Sequence, residues 1–569
     1  MQADHWLSRY ASDYHAWRKV YSGQDLIAYQ RPLGLVETSF DIDGVHYGGR
    51  ADVNSAFTVE VRSNLTVDEF RRRITLAWAN LRIFHVLLMA TVVRDSTFTS
   101  REFKLKIPAS SREVFDNAAS SIRFLQDNHK RVDIDDFFKH CTNSTRVVDS
   151  DKSLSELLVL PSEPLHGGTF RLSFFLVAAH ETCDGLVLLA NWWPHFLCLL
   201  NTPVAELERN LEHERLPKRL WARLPRAQED LYPRIQGSVA RQRWYWAIMR
   251  VLRHVRSPPP QGFKNPLKQA KRLENAILPQ PKYPDVFEYS EERKPPINGY
   301  RIGAVLSQTV TDRLERLARA VGASVGAACF ALVGLVMMEL EEAKNPHVPL
   351  EQRLPFVGSF PINPRPFFGF TSLADSCMLT FSDGIWLPFL PSALPVESRL
   401  RLLTRQAHRQ LGMYQKRLQS DKLKGSWDPT DPARVIASSY LVGLERIEIK
   451  KPGYLQSGIN PQGAYPARWS LGTATCGISS MGSVKKFLQS GKYKLDEEAT
   501  KKTGLVADYR ACRTCVRARD GEFLVGVSGM DDGMTFDVSY DGSEITEEMG
   551  SVWRSKIENL FEPSLVARL

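Results

Sequence analysis

The sequence predicts an α/β protein of two lobes, each with mixed sheets flanked by helices. Strand-like and helix-like hydrophobic patterns alternate on both sides of a proline-rich stretch near the middle of the chain. Residues 172–179 form an uncharged run, LSFFLVAA, which is typical of a strand buried on both faces. With 569 residues, 43% of them hydrophobic and 24% charged, the chain has the composition of a globular protein with a large core.

The proline-rich stretch sets the predicted domain boundaries. Its prolines cluster at positions 258–260 and 279–284, where their density excludes a continuous helix or a central strand. We therefore predict a first lobe over residues 1–225, a crossover over residues 226–299 and a second lobe over residues 300–569.

The hexapeptide HETCDG at residues 180–185 follows the predicted buried strand. A buried imidazole costs free energy unless it is paired or faces a cavity. With an ordinary pKa of about 6.5, His180 would be largely neutral at cell pH and suited to act as a general base. Asp184 falls where the chain leaves the strand, and Gly185 would permit that turn. The alternative is a capped strand end at which His180 is an ordinary core histidine.

The hexapeptide and four further segments resemble the HxxxD acyltransferases, whose chloramphenicol acetyltransferase-like fold is shared by plant BAHD enzymes, peptide-synthetase condensation domains and fungal trichothecene 15-O-acetyltransferases. The further segments are residues 77–85, 360–366, 477–482 and 532–541. The plant Asp-Phe-Gly-Trp-Gly element does not occur, and Ala179 stands where condensation domains usually carry a second histidine. The fungal O-acyltransferases are therefore the branch that the sequence resembles most. The resemblance implies a pseudo-dimer of two similar lobes, with a tunnel between them past the histidine.

The resemblance also implies an activity: transfer of an acyl group, acetyl in the first instance, from acyl-CoA to a hydroxyl of a secondary metabolite. His180 would be the general base. Asp184 would hold the loop in shape by pairing with an arginine, for which Arg365 is our candidate. No tightly bound cofactor is implied, and acyl-CoA would be a co-substrate.

By the same resemblance, residues 477–482 would face the catalytic histidine. Ser479 and Ser480 would supply a hydroxyl to the oxyanion, or alternatively cap a helix over residues 483–488. CoA phosphates would suit the start of that helix, with Lys485 and Lys486 close by. Two other functions stay open: a condensation-type or acyl-binding module, and a cyclase that uses the pocket without acyl-CoA.

The eight cysteines are scattered and include one CxxC pair, Cys512 and Cys515. A zinc site would need further ligands nearby, and no histidine follows His408, so we expect a structural role and no metal. The amino terminus carries no basic-then-apolar signal pattern, which predicts reduced thiols and a cytoplasmic monomer.

An uncharged stretch over residues 321–338 reaches the lower length limit of a membrane-spanning helix. Its first half consists largely of small residues, and Arg319 and Glu339 stand close to its ends. We therefore predict a buried core helix rather than a transmembrane one.

The positive charge is concentrated in one tenth of the chain. Residues 215–272 contain fifteen Lys and Arg and two acidic residues, a net charge of +13, whereas the whole chain carries +10. Within this segment residues 244–256 read as a basic amphipathic helix with aromatic anchors. A solvated connection, attraction of an anionic donor such as CoA, and contact with a membrane surface all remain open. Nucleic acid is not expected, because no recognition motif accompanies the charge.

Overall fold

The computed structural model describes residues 6–94, 100–255, 259–275, 278–289, 298–368, 375–382, 384–415, 432–458, 460–461, 474–531 and 533–562. Arg256, Ser257, Pro258 and Asp532, which belong to segments discussed above, lie outside these ranges. The strands are β1 Arg18–Ser22, β2 Asp25–Pro32, β3 Val53–Ser63, β4 Thr91–Arg94, β5 Arg101–Lys106, β6 Ile122–Phe124, β7 Ser155–Val159, β8 Glu163–Pro164, β9 Phe170–Ala178, β10 Gly299–Val305, β11 Phe356–Ser359, β12 Pro361–Ile362, β13 Thr380–Phe381, β14 Ile385–Leu387, β15 Cys476–Ser483, β16 Leu505–Val516, β17 Phe523–Met530 and β18 Gly533–Asp541.

The helices are α1 Leu35–His46, α2 Val67–Phe84, α3 Ser111–Ala119, α4 Ile134–Asn143, α5 Gly185–Val187, α6 Trp193–Leu200, α7 Val204–Glu214, α8 Pro217–Arg223, α9 Val239–Val255, α10 Gln308–Ala320, α11 Val325–Lys344, α12 Val396–Gln415, α13 Pro432–Lys450, α14 Glu497–Thr503 and α15 Glu547–Asn559. A π-helical segment, Leu188–Trp192, joins α5 to α6.

The first large sheet has the strand order β16-β3-β9-β7-β6. Strand β9 runs antiparallel between β3 and β7, and its last seven residues are buried. This burial on both faces explains its uncharged sequence and confirms the strand predicted before His180. Helices α2 and α6 cover one face of the sheet with a core that includes Trp78, Trp193 and Phe196.

The second large sheet has the order β10-β18-β17-β15-β11-β14. It is mixed: β15 runs parallel to both β11 and β17, whereas the outer pairs are antiparallel. Helix α11 is buried from Ala327 to Glu339 and packs on this sheet. The predicted architecture of mixed sheets flanked by helices is thus confirmed.

One strand crosses the predicted lobe boundary. β16 comes from the second lobe in sequence, yet it pairs antiparallel with β3 over the whole length of both strands. The sheet that carries His180 is therefore completed by residues from the carboxy-terminal part of the chain. The crossover is also anchored in both cores, because Phe263 and Leu267 are buried in the second lobe and Tyr283 and Phe287 in the first.

The uncharged stretch at residues 321–338 consists of the turn after α10 and most of α11. Its burial confirms the predicted core helix. In the described part of the chain no single helix is long and apolar enough to cross a membrane, although α10 and α11, bent by 113° at their junction, pass such a test together.

Candidate active site

A cavity of about 1280 Å³ lies between the two sheets and is lined by residues of both lobes and of the crossover. His180 enters its wall directly after β9. Strand β15 contributes the opposing wall with Ser479, Ser480 and Met481. The crossover contributes Lys264 and other basic residues. The histidine that the sequence singled out therefore lies in a large, shared cavity.

The imidazole of His180 is held by an aromatic stack. The ring of Phe40, from α1, lies parallel to it at a centroid distance of 3.8 Å and an angle of 5°. Its Nδ1 lies 3.8 Å from the Sγ atom of Cys377, which is buried. Burial lowers the pKa of His180 to about 4, with Arg519 acting in the same direction, and a hydrogen bond to its own backbone opposes the shift. The ring is therefore neutral at neutral pH and able to accept a proton.

The carboxylate of Asp184 accepts four hydrogen bonds and is almost fully buried. Its Oδ1 caps the following helix by accepting from the backbone N–H groups of Leu186 and Val187, at 3.0 and 3.1 Å. Its Oδ2 accepts from Arg365 Nη2 at 2.5 Å and from the backbone N–H of Met378 at 3.1 Å. The structure thus brings together Asp184 and Arg365. With both oxygens occupied in this way, the carboxylate is placed to hold structure rather than to move protons.

The structure indicates a different role for Gly185 from the one predicted. Its backbone does not adopt a left-handed conformation. A Cβ atom at this position would lie 1.7 Å from the Cε atom of Met481 in β15. The glycine therefore allows the two lobes to approach closely at the cavity, and any side chain here would displace Met481.

Ser479 and Ser480 line the cavity from within strand β15. The alternative that they cap a helix over residues 483–488 is wrong. β15 remains paired with β17 as far as Ser483, and the backbone N–H of Val484 then donates to Gly529. The backbone is thus committed to the sheet, and only a single turn follows, in which Phe487 and Leu488 donate to the carbonyl of Val484.

No family model matches the sequence, and no curated protein matches it. Among solved structures, the TRI3 trichothecene 15-O-acetyltransferase from Fusarium sporotrichioides is similar with a TM-score of 0.65 and 12% identity, over 96% of this chain and 98% of that chain. The first condensation domain of the CDA synthetase is similar with a TM-score of 0.50 and 13% identity, over 94% and 95% of the two chains. The chain has the chloramphenicol acetyltransferase-like fold. At such identities the similarity shows the fold alone, so any activity has to be argued from the site.

The positions of Lys485 and Lys486 do not fit the role predicted for them, which was contact with CoA phosphates at a helix start. Neither lines the cavity, no helix begins there, and the Nζ atom of Lys486 lies 4.7 Å from the centre of the Phe487 ring. The cations that line the cavity among the described residues are Arg253, Lys264, Lys268, Arg272, Lys344, Arg365, Arg446 and Arg519. Four of them belong to the basic segment at residues 215–272. The net charge of that segment was evident from the sequence, but which of its residues line the cavity was not.

A buried ionic cluster behind Phe40 went unnoticed in the sequence. Asp43 accepts hydrogen bonds from Arg519, at 2.8 and 3.0 Å, and from Lys450. Burial lowers the pKa of Lys450, and the charge of Asp43 opposes this shift. The guanidinium of Arg446 stacks on the ring of Phe381, 3.7 Å from its centre. The cluster ties α1 to α13 and to the segment after β16. No local pattern could reveal it, because Asp43 is 407 residues from Lys450 and 476 residues from Arg519 in the sequence.

Glu181, inside the hexapeptide, is also buried and was missed. Neither of its carboxyl oxygens has a hydrogen-bond partner within the described residues, and Arg146 Nη2 lies 4.0 Å from Oε1. Burial raises the pKa of Glu181 to about 8, Arg146 opposes this shift, and Asp41 and Asp52 add to it. The carboxyl is therefore protonated, and neutral, at neutral pH.

The CxxC pair lies inside β16, with both cysteines buried and unbridged. Burial raises the pKa of Cys512 and of Cys515 to about 12, so both thiols stay protonated and unreactive. Within the described ranges no group of three or more His, Cys, Asp and Glu side chains is placed to hold a metal ion.

We predict that Asp184→Asn lowers the free energy of unfolding by about 3–5 kcal/mol, because one of its buried partners loses a charged acceptor. Denaturant unfolding measures the loss. Asp133→Asn is the matched control: Asp133 caps α4 without an arginine partner, so its change should cost little. Equal losses in the two variants would contradict the prediction, because asparagine can still cap a helix and the ion pair with Arg365 would then contribute little.

We predict that Glu181→Gln flattens the pH dependence of stability between pH 5 and 8. In the wild type the folded state keeps a proton on Glu181 that the unfolded state releases above about pH 4.5, so stability falls as the pH rises toward 8. Glutamine is neutral throughout and has nearly the same volume. Tm measured against pH tests this, with the exposed Glu351→Gln as control. A variant with the wild-type slope would mean that Glu181 is ionised in the folded protein.

Proposed function

We propose that the chain is an O-acyltransferase that moves an acyl group, acetyl in the first instance, from acyl-CoA to a hydroxyl of a secondary metabolite. The observation that carries the proposal is a neutral His180 on the wall of a large cavity shared by both lobes. The fold, common to an acetyltransferase and a condensation domain, is in keeping with acyl transfer.

His180 would act directly on the acceptor. Because Nδ1 faces Cys377, Nε2 is the nitrogen that would reach the substrate hydroxyl. His180 removes the hydroxyl proton as the oxygen attacks the thioester carbonyl, so that a C–O bond forms and a tetrahedral oxyanion appears. The C–S bond then breaks, and the imidazolium returns the proton to the departing thiolate. The step balances without an acyl-enzyme.

The oxyanion needs a hydrogen-bond donor that is in place before charge develops. Ser479 and Ser480 of β15 line the cavity that His180 also lines, and both carry hydroxyls. One of them would donate to the oxyanion. Asp184 and Arg365 would act only by holding the loop that carries His180.

The size and charge of the cavity suit two substrates. Its volume of about 1280 Å³ exceeds the usual range of about 300–1,000 Å³ for a single small-molecule pocket. CoA carries several phosphate charges, and basic residues of the crossover line the cavity. Lys268 and Arg272 are engaged with Glu544, whereas Lys264 is exposed and makes no ion pair within the described residues. Lys264 is therefore the cation that we propose meets a donor phosphate.

We predict that His180→Ala lowers turnover roughly 10²–10⁴-fold without loss of folded protein.

In the wild type, kcat/KM should fall on the acid side with a midpoint near pH 4 rather than 6.5, because that is where the buried imidazole gains its proton. Steady-state rates across pH test both expectations. Wild-type turnover in the variant would contradict the role of His180, and a midpoint near 6.5 would mean that the ring is solvated in the working enzyme.

The acyl donor is tested with a panel of acyl-CoA esters and a metabolite extract, with free thiol release as the signal. Thiol release that depends on both the extract and His180 supports the proposal. Transfer from a carrier-protein thioester but not from CoA would favour the condensation-type module. Conversion of a metabolite without any thioester would favour the cyclase.

A further inference from the structure

Helix α9 carries a second apolar face that is exposed in the part of the chain that the structure describes. Its inner face buries Trp246 and Met249 in an aromatic cluster with Tyr10 and Tyr440. On the outside, Trp244 is 69% exposed and Val255 is 66% exposed. A tryptophan left this open on a folded surface calls for an explanation, because large exposed apolar patches mark interaction sites.

The exposed apolar residues form one stripe along the helix. Positions 244, 248, 251 and 255 follow one another at spacings of four, three and four, which places them on the same side of an α-helix. Val251 is also exposed, and Ile248 is half-buried. From Trp244 to Val255 the stripe is about 16 Å long at 1.5 Å per residue. It opens to solvent and does not line the cavity.

Arginines border the stripe. Helix α9 contains no acidic residue. By helical position Arg241 borders the stripe on one side and Arg243 stands on the opposite flank, and both are exposed. Arg250 stands on the same flank as Arg243 but closer to the buried face, and it is half-buried. None of these three makes an ion pair within the part of the chain that the structure describes. Arg253, on the inner face, instead pairs with Glu445 at 2.9 Å. The unpaired positive charge of the exposed Arg241 and Arg243 therefore flanks the apolar stripe.

We propose that the outward face of α9 docks in the plane of a membrane surface that contains anionic lipid. Apolar side chains entering the headgroup boundary, with arginines at lipid phosphates and a tryptophan at the interface, match this face. A nucleic acid would use the arginines but leave the apolar stripe unexplained. A second copy of the chain, packed about a two-fold axis, would bring unpaired arginines against each other.

The test is co-sedimentation of the full chain with vesicles of phosphatidylcholine alone or mixed with phosphatidylserine. We expect binding only to the mixed vesicles, weakened by salt. Arg241→Gln with Arg243→Gln should raise the dissociation constant about thirty-fold, since each basic residue contributes about 1 kcal/mol at such a surface. Trp244→Ala with Val251→Ala should also weaken binding, including the part that resists salt.

Matched controls remove the same groups elsewhere. Arg316→Gln with Arg405→Gln removes two exposed arginines of α10 and α12, and Val67→Ala with Leu350→Ala shortens two exposed apolar side chains. Binding equal to that of the wild type in both controls, with all variants melting alike, supports the proposal. Failure of the wild type to bind mixed vesicles would overturn it, as would equal losses in controls and α9 variants. So would a dimer in light scattering that Trp244→Ala dissociates, because a second copy would then occupy the face.

Discussion

The buried pair of Asp184 and Arg365 is the contact on which the site depends. The carboxylate belongs to the loop that leaves the central strand β9, and the guanidinium belongs to the segment after β12 in the other half of the chain. Each is only about 3% exposed, so neither charge is solvated if the other moves away. The same carboxylate caps the helix after Gly185. The Asp184 side chain thus fixes the start of that helix and links it to the second lobe. Because His180 is four residues earlier in the same loop, these contacts also position His180.

The second constraint is that no single lobe builds the cavity. β16 completes the sheet of the first lobe, Met481 fills the space above Gly185, and Arg519 joins Asp43 behind Phe40. Phe40 in turn stacks on His180, so the orientation of the ring is set by packing that reaches across the lobes. This arrangement also keeps the imidazole desolvated, which explains its lowered pKa. Orientation and protonation of the histidine therefore have the same origin.

Local patterns predicted the parts of the molecule that are decided locally. An uncharged run followed by His180 and Asp184 was sufficient to place a buried strand and a polar loop at its end. The helix expected over residues 483–488 is reduced to a single turn, because Ser483 pairs with β17 and the backbone N–H of Val484 donates to Gly529. Gly185 was recognised, but its physical reason, the approach of Met481, depends on a strand almost 300 residues away. Asp43, Lys450 and Arg519 carry no shared motif, so only the folded chain reveals that they meet.

The net charge of the basic segment at residues 215–272 is the sum of two different surfaces, one lining the cavity and one on the outside of α9. On the inner side Arg253, Lys264, Lys268 and Arg272 line the cavity, and several are balanced by carboxylates. On the outer side of α9 the arginines have no such partners in the described residues, and they stand beside exposed apolar groups. A connection that was basic for solubility alone would account for the arginines, but not for Trp244 and Val255, since exposed apolar side chains lower solubility. Arginines beside an apolar stripe on the outer face of α9 match a partner that is itself amphipathic, with both anionic and apolar groups.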